Sequence, residues 1–403
     1  MKFSIDKSVY SGALEKVKKA LMRGNSDDSL KYILHEVTDK GLKLLATDTN
    51  IQIEYTIPIG DYLTVHEDGK CSPHGQVLAD LVRGFPNGWI DVHLETSTDE
   101  STEDTTVTEK FHLAATKASQ KKMAHWVPCG VKVKYPLNDF KCGAGKQTFS
   151  LDAEIFLTCL KRTQFATAKT IERPFLTNVC LDVYGDRIES VGSDGQRMGY
   201  YLKNGMSNPV EGRIMLYSPN IKELIPLLDD INNIEVTDDK KVLTIKQANI
   251  RFSCRQMDAV EYPAWRPKIE IPYTNKATVS REELLGAVRN IMNVTDFACT
   301  LSFSHDDQCL RVLVQPIMGR AIWGGSNEEV SCVVDSDVDI SVVPRYLVDA
   351  LSNGKSDNVV FYMSAPDKAF KVEMDEGYGN VITTMNLAQI AATAAATGEA
   401  VNE

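Results

Sequence analysis

Residues 187–202, RIESVGSDGQRMGYYL, place Asp194, Gly195 and Arg197 in a tight turn between two half-apolar segments. An acid and a guanidinium so close together could handle a proton or a phosphate, so the turn can be read as a catalytic site. It can equally be a plain hairpin, since glycine accepts positive φ after aspartate, or a docking surface. Other chemistry is scarce. Gly143-Ala144-Gly145-Lys146-Gln147-Thr148 looks like a phosphate loop, but the earlier glycine is missing and Gln follows Lys146; it reads as a linker. The nine cysteines form no CxxC pair and do not cluster with the seven histidines. Reduced, mostly buried thiols are expected, with neither a metal site nor a cofactor. No Ser/His/Asp order falls in a usable frame.

The chain that must position these residues has 403 of them, too many for one core, and two to four domains are expected. Apolar residues make up 43% and charged ones 25%, as in a soluble globular protein. Apolar runs fall short of the roughly 18 residues of a membrane span, and MKFSIDKSVY lacks the apolar centre of a signal peptide. A cytoplasmic protein with no membrane partner is expected. A net charge of -11 argues against simple adhesion to nucleic acid but allows a basic stripe on one face. The acidic run TDESTEDTTVTE, residues 98–109, reads as a solvated loop.

Internal repetition organises the rest. At an offset of 146, Phe3-Ser4-Ile5-Asp6 falls on Phe149-Ser150-Leu151-Asp152, Leu14 on Leu160, Lys16 on Arg162, Asp48 on Asp194, and Ser72-Pro73 on Ser218-Pro219. A fainter third copy sets Ser280 where Asp152 stands and Val343-Pro344 where the Ser-Pro pairs stand. A period this long means repeated whole domains, not a solenoid.

Each copy reads as a strand, an N-cap (Asp6, Asp152 or Ser280), a helix, a strand hairpin, a second helix begun at proline, and a closing hairpin such as WIDVHLET with KFHLAAT. The fold class is therefore α+β, with two similar halves per domain. Val77, Leu78, Leu81 and Val82 mark the expected inner stripe of one second helix, with Arg83 opposite. At about 100° per residue, Lys16, Lys19 and Arg23 lie opposite Leu14, Val17 and Leu21, and Lys161 and Arg162 lie opposite Phe156 and Leu160. Basic faces recurring in an acidic protein point to a polyanion crossing one surface of a repeated array.

The segment order, with ERPFLTNVCLDV, RIESVGSDGQRM, SPNIKELIPLL and EYPAWRP, resembles the bacterial DNA polymerase III beta subunits, the sliding clamps, over residues 1 to about 387. The resemblance implies three clamp domains per chain (1–145, 146–274, 275–387, then a tail 388–403) and a head-to-tail homodimer closing a ring around duplex DNA. Such a ring has no chemistry of its own. It holds DNA without base readout and tethers a polymerase and a clamp loader through short linear motifs. By the same resemblance, Leu176, Ser193, Gly195, Gln196, Arg197, Met198, Pro263, Pro267, Lys268, Val381, Ile382, Thr383, Thr384 and Met385 form the partner-peptide groove. The dimer interface falls on Phe111 and Leu113 against Ile291, Asn293 and Val294. Where the family ends in a Met-Pro-Met strand, this chain has Thr383-Thr384-Met385, and Pro267-Lys268 replaces the usual pair beside the groove; both departures suit a divergent or phage-encoded clamp. Two other readings stay open: a sequence-specific DNA-binding protein, and an enzyme using the Asp194/Arg197 turn.

Overall fold

The computed structural model describes residues 1–22, 28–99, 106–116, 122–130, 140–170, 172–256, 261–295, 297–314 and 326–387. Two compact units form, Met1–Glu154 with Lys222–Asp258, and Ile155–Ile221 with Ala259–Glu403.

The first unit holds two antiparallel sheets. One runs in the order Leu63–Glu67, Lys2–Asp6, Trp89–Asp99, Thr106–Thr116, Lys122–Pro128. The other runs Gln147–Leu151, Ile234–Asp238, Val242–Gln247, Ile250–Arg255, Ile51–Pro58, Gly41–Thr47, Leu34–Thr38, Gly69–Cys71. Its middle seam joins the first repeat to the second, Tyr55 opposite Ile250 and Ile51 opposite Cys254. The helix Lys7–Val17 starts where Asp6 accepts from the Ser8 and Val9 amides at 2.8 and 3.3 Å, and buries Tyr10, Ala13, Leu14 and Val17. The helix Gly75–Gly84 starts two residues after Pro73, not at it, capped by His74. Its buried stripe is Leu78, Ala79 and Val82; Val77 is 42% exposed and Leu81 half-buried, because at about 100° per residue both turn away from that stripe.

The second unit contains one sheet of twelve strands: Gly212–Tyr217, Asn178–Val183, Arg187–Ser193, Arg197–Asn204, Tyr378–Ile382, Phe370–Glu373, Asn358–Met363, Asn275–Ser280, Asn327–Val334, Cys309–Leu313, Cys299–Ser304, Val338–Val342. Here the second repeat joins the third, Tyr201 opposite Tyr378 and Arg197 opposite Ile382. The helices Arg281–Met292, capped by Ser280, and Pro344–Ser352, begun at proline, cover a core that includes Leu284, Val288, Ile291, Phe303, Phe361 and Ile382. Backbone ladders run between repeats as continuously as within them, so the middle repeat is shared between the two units.

The acidic run is not simply a loop. Thr98 and Asp99 continue one strand and Thr106–Glu109 begin the next, paired from Thr98 opposite Val107 to Asp99 opposite Thr106. Hydrogen bonding along a two-stranded ribbon outweighs its polar composition. Residues 100–105 lie outside the described set.

Candidate functional site

The 194–197 turn is built by its own aspartate. Asp194 Oδ1 accepts from the Gln196 and Arg197 amides, both at 2.9 Å, and Gly195 takes φ +92°. Asp48, its counterpart in the first repeat, accepts from the Asn50 and Ile51 amides at 2.9 and 2.7 Å. The aspartate turn is thus a feature of the repeat, and what the second copy adds is the sequel Gly195–Met198.

Arg197 does not reach into a cleft as an acid–base partner. It is 9% exposed. Its guanidinium donates to Asp194 (3.1 Å), Asp349 (2.7 Å) and the Phe165 carbonyl (2.9 Å), and stacks 4.6 Å from the Tyr346 ring centre. Every arm of the fork is occupied, so the group fastens the hairpin to the third repeat. This removes the basis of an enzyme reading at Asp194/Arg197.

Beside the turn lies a cavity of about 320 Å³. Ten expected groove residues line it: Leu176, Ser193, Gly195, Gln196, Arg197, Met198, Pro263, Lys268, Val381 and Thr383. Its floor is apolar, with Leu176, Met198 and Val381 packed on Tyr262 and Trp265. Thr383 ties one wall shut, its amide and hydroxyl donating to the Gln196 carbonyl at 2.9 and 2.8 Å. Four expected residues are elsewhere. Ile382 faces the third-repeat core, 1% exposed, because neighbouring strand residues point to opposite faces and Val381 takes the cavity side. Pro267 points outward in the turn Arg266–Lys268. Thr384 and Met385 lie past the strand end, where the Met385 amide donates to Ser341, and do not line the cavity.

The sequence reading missed Arg173, Phe175, Tyr262, Ala264, Trp265, Ile271 and Ala369. The aromatic segment EYPAWRP was the available signal, but its anchor is remote in sequence. Asp182, 7% exposed, takes a two-point contact from Arg213 at 2.6 and 3.1 Å and one from Trp265 Nε1 at 3.3 Å. Arg213 also donates to the Tyr262 carbonyl at 3.3 Å. Burial raises the Tyr262 phenol well above its usual range, and among the described residues its hydroxyl has no hydrogen-bond partner. A buried donor lining a cavity and left unpaired is costly unless a ligand takes it.

The expected basic faces are only partly present. Lys16 and Lys19 line a cleft of about 610 Å³ in the first unit together with Lys18, Lys31 and His74. Arg83 is exposed and paired to Glu15 at 2.7 Å, and Lys161 is exposed. Arg162 is not on a solvent face: it is 9% exposed, ion-paired with Asp375, and held between the Tyr201 and Tyr378 rings at 4.9 and 4.8 Å. Partners from two other strands cover what a helical wheel leaves bare. Arg23 lies outside the described residues.

The expected interface residues are also corrected. Phe111 and Leu113 are fully buried on Thr106–Thr116, an inner strand; the sheet ends, among the described residues, at Lys122–Pro128. Ile291 is core, Asn293 caps its helix and Val294 packs on that core, so none belongs to a sheet edge. Among the described residues, no three or more His, Cys, Asp or Glu side chains gather to hold a metal ion, and no helix is long and apolar enough to cross a membrane.

A family model described as the DNA polymerase III beta subunit, N-terminal domain, matches residues 1–120. The beta sliding clamp of Streptococcus pneumoniae serotype 4 is 21% identical over 392 residues, 94% of this chain and 98% of that protein. That of Bacillus subtilis (strain 168) is 21% identical over 368 residues, 87% and 90% of the two chains. Among solved structures, the beta subunit from the DNA polymerase of Streptococcus pyogenes superposes with a TM-score of 0.82 at 20% identity, covering 96% of this chain and 100% of that one. The Thermotoga maritima beta subunit gives 0.79 at 17%, covering 96% and 99%.

Proposed function

We propose that the chain, which has the fold of the solved beta subunits, is a member of the DNA polymerase III beta subunit family and a non-catalytic processivity factor. In this reading two copies close head to tail around duplex DNA and tether the replicative polymerase. The observation that carries it is the way repeats join. The first meets the second, and the second meets the third, by the same edge-to-edge strand pairing inside the chain. A third junction of that kind, made with a second copy, would close a ring of six repeats numbered 1–145, 146–274 and 275–387 in each chain.

Enclosure needs only weak, non-specific attraction to phosphates. Lys16, Lys19, Arg83 and Lys161, with Arg23, are the side chains assigned to it; Arg162 is withdrawn. The cavity beside the 194–197 turn is assigned to short linear motifs of the polymerase and clamp loader. An apolar floor under Leu176, Met198 and Val381 could gain about 1.5 to 3 kcal/mol from one buried Leu or Phe. Tyr262 offers its hydroxyl, and Arg173 and Lys268 give the rim positive charge. The test is topological: protein assembled on a nicked circular duplex should remain through gel filtration and be lost when the circle is cut. Equal retention on both forms would mean grip, not enclosure.

A further inference from the structure

The two sheets of the first unit meet at a pair of cysteines. Cys71 ends Gly69–Cys71, the last strand in the order of the eight-stranded sheet. Cys129 directly follows Lys122–Pro128, the last strand in the order of the five-stranded one. Pro73 stands opposite Cys129, flanked by a bond from the Gly130 amide to the Ser72 carbonyl at 2.8 Å and one from the His74 amide to the Pro128 carbonyl at 3.1 Å. Bonds in those places mark the narrow kind of antiparallel pair, in which side chains stand closest. Cys71, two residues before Pro73, comes to the same side by alternation. Its thiol shares a hydrogen bond with that of Cys129, and both thiols act on the buried Tyr10 hydroxyl, so they occupy one spot.

Their surroundings are unequal. Cys71 is 4% exposed, with the Met1 sulfur 4.0 Å from its own, whereas Cys129 is half-buried. Burial holds the Cys71 thiol well above its usual range, so an oxidant meets Cys129 first. Nothing in the repeat requires a thiol at this corner. Ser72-Pro73 falls on Ser218-Pro219, yet Tyr217 stands in the place of Cys71.

We propose that Cys71 and Cys129 form a reversible redox latch: a peroxide joins them in a disulfide that fastens the two sheets of the first unit together, and a dithiol reductant releases it. The Cys129 thiolate takes one oxygen from the peroxide and becomes a sulfenic acid. The Cys71 sulfur then attacks that sulfur; the S–S bond forms as the S–O bond breaks, and the hydroxyl leaves as water with the Cys71 proton. In sum, two thiols and one hydrogen peroxide give one disulfide and two waters. The loop so closed contains the helix Gly75–Gly84 and the long strands Trp89–Asp99 and Thr106–Thr116. The bond therefore opposes every opening motion that parts Lys122–Pro128 from Gly69–Cys71. Where thiols are kept reduced, such a bond is transient and reports oxidation.

The full chain, reduced and then treated with a small excess of hydrogen peroxide, tests the latch. After blocking with N-ethylmaleimide and digestion, mass spectrometry should find a peptide joining Cys71 to Cys129. Amides of Lys122–Pro128 should exchange about tenfold more slowly in the oxidised protein and return to the starting rate with dithiothreitol. Cys129→Ser should lose both effects, and Cys71→Ser should stop at a Cys129 sulfenic acid that dimedone traps. Thiols that stay free in the parent, a Cys129 sulfinic acid beside a free Cys71, or a bond from either to another cysteine would overturn the latch. A Cys71–Cys129 bond with unchanged exchange would overturn its hold on the sheets.

Discussion

Arg197 separates a structural role from a docking one. Arg197→Ala removes contacts to Asp194, Asp349 and the Phe165 carbonyl, and the stacking on Tyr346. Breaking a buried ion pair typically costs about 3 to 5 kcal/mol when the remaining charge is stranded. Here neither carboxylate is stranded: Asp349 keeps Arg345 at 2.8 Å, and Asp194 keeps two backbone amides. The loss therefore reduces to charge-assisted hydrogen bonds and stacking, about 2 to 3 kcal/mol. Because a chain of several repeats need not unfold in one step, a local probe is required. Hydrogen exchange in Arg197–Asn204 and Tyr378–Ile382 should speed up by roughly 30- to 150-fold, with the amides of the first unit unchanged. Arg197→Lys, which keeps charge but not the fork, should fall between. Exchange within about threefold of the parent, alongside lost peptide binding, would refute the argument and return Arg197 to the groove as a ligand-binding side chain.

Met198→Ala removes a floor side chain that is 5% exposed. It should weaken a fluorescent polymerase-derived peptide with a Leu or Phe anchor by about tenfold in anisotropy titrations, and undiminished binding would contradict the groove assignment. His35 gives a pH signature. Its Nε2 accepts from Tyr10 Oη at 2.8 Å, its Nδ1 donates to the Ile33 carbonyl, and burial holds its pKa down to about 4. Since the unfolded chain takes up the proton near pH 6.5, stability should fall between pH 6.5 and 4 as pH drops, by about 3 kcal/mol in all. His35→Leu should flatten that part of the melting-temperature profile, and an equally steep profile in the variant would contradict it.

Much of the fold could be read from the chain because the repeat is local chemistry repeated: Asp6 and Ser280 cap helices, and Asp48 and Asp194 build the same turn. Seven of the cavity residues come together for a similar reason, since Ser193, Gly195, Gln196, Arg197 and Met198 sit on one hairpin and Val381 and Thr383 on or just past the strand that pairs with it, whereas Leu176, Pro263 and Lys268 come from the segments around two short 3-10 turns. What failed depended on tertiary neighbours. The wheel set Arg162 away from its own helix's core but could not reveal that Tyr378 and Asp375, more than two hundred residues on, close over it. Alternation correctly put Phe111 and Leu113 inside, yet edge position depends on sheet order, which no single strand encodes. Ile382 was lost to strand parity, one residue from Val381.

The central claim is that this protein holds DNA by enclosure. The most direct measurement is its lifetime on a nicked circle, on the same DNA linearised, and on the linear form with both ends blocked by bulky protein caps. Enclosure predicts long retention on the circle, rapid loss from the free-ended linear DNA, and recovery of retention once the ends are blocked. Equal lifetimes on all three, set by salt alone, would contradict it.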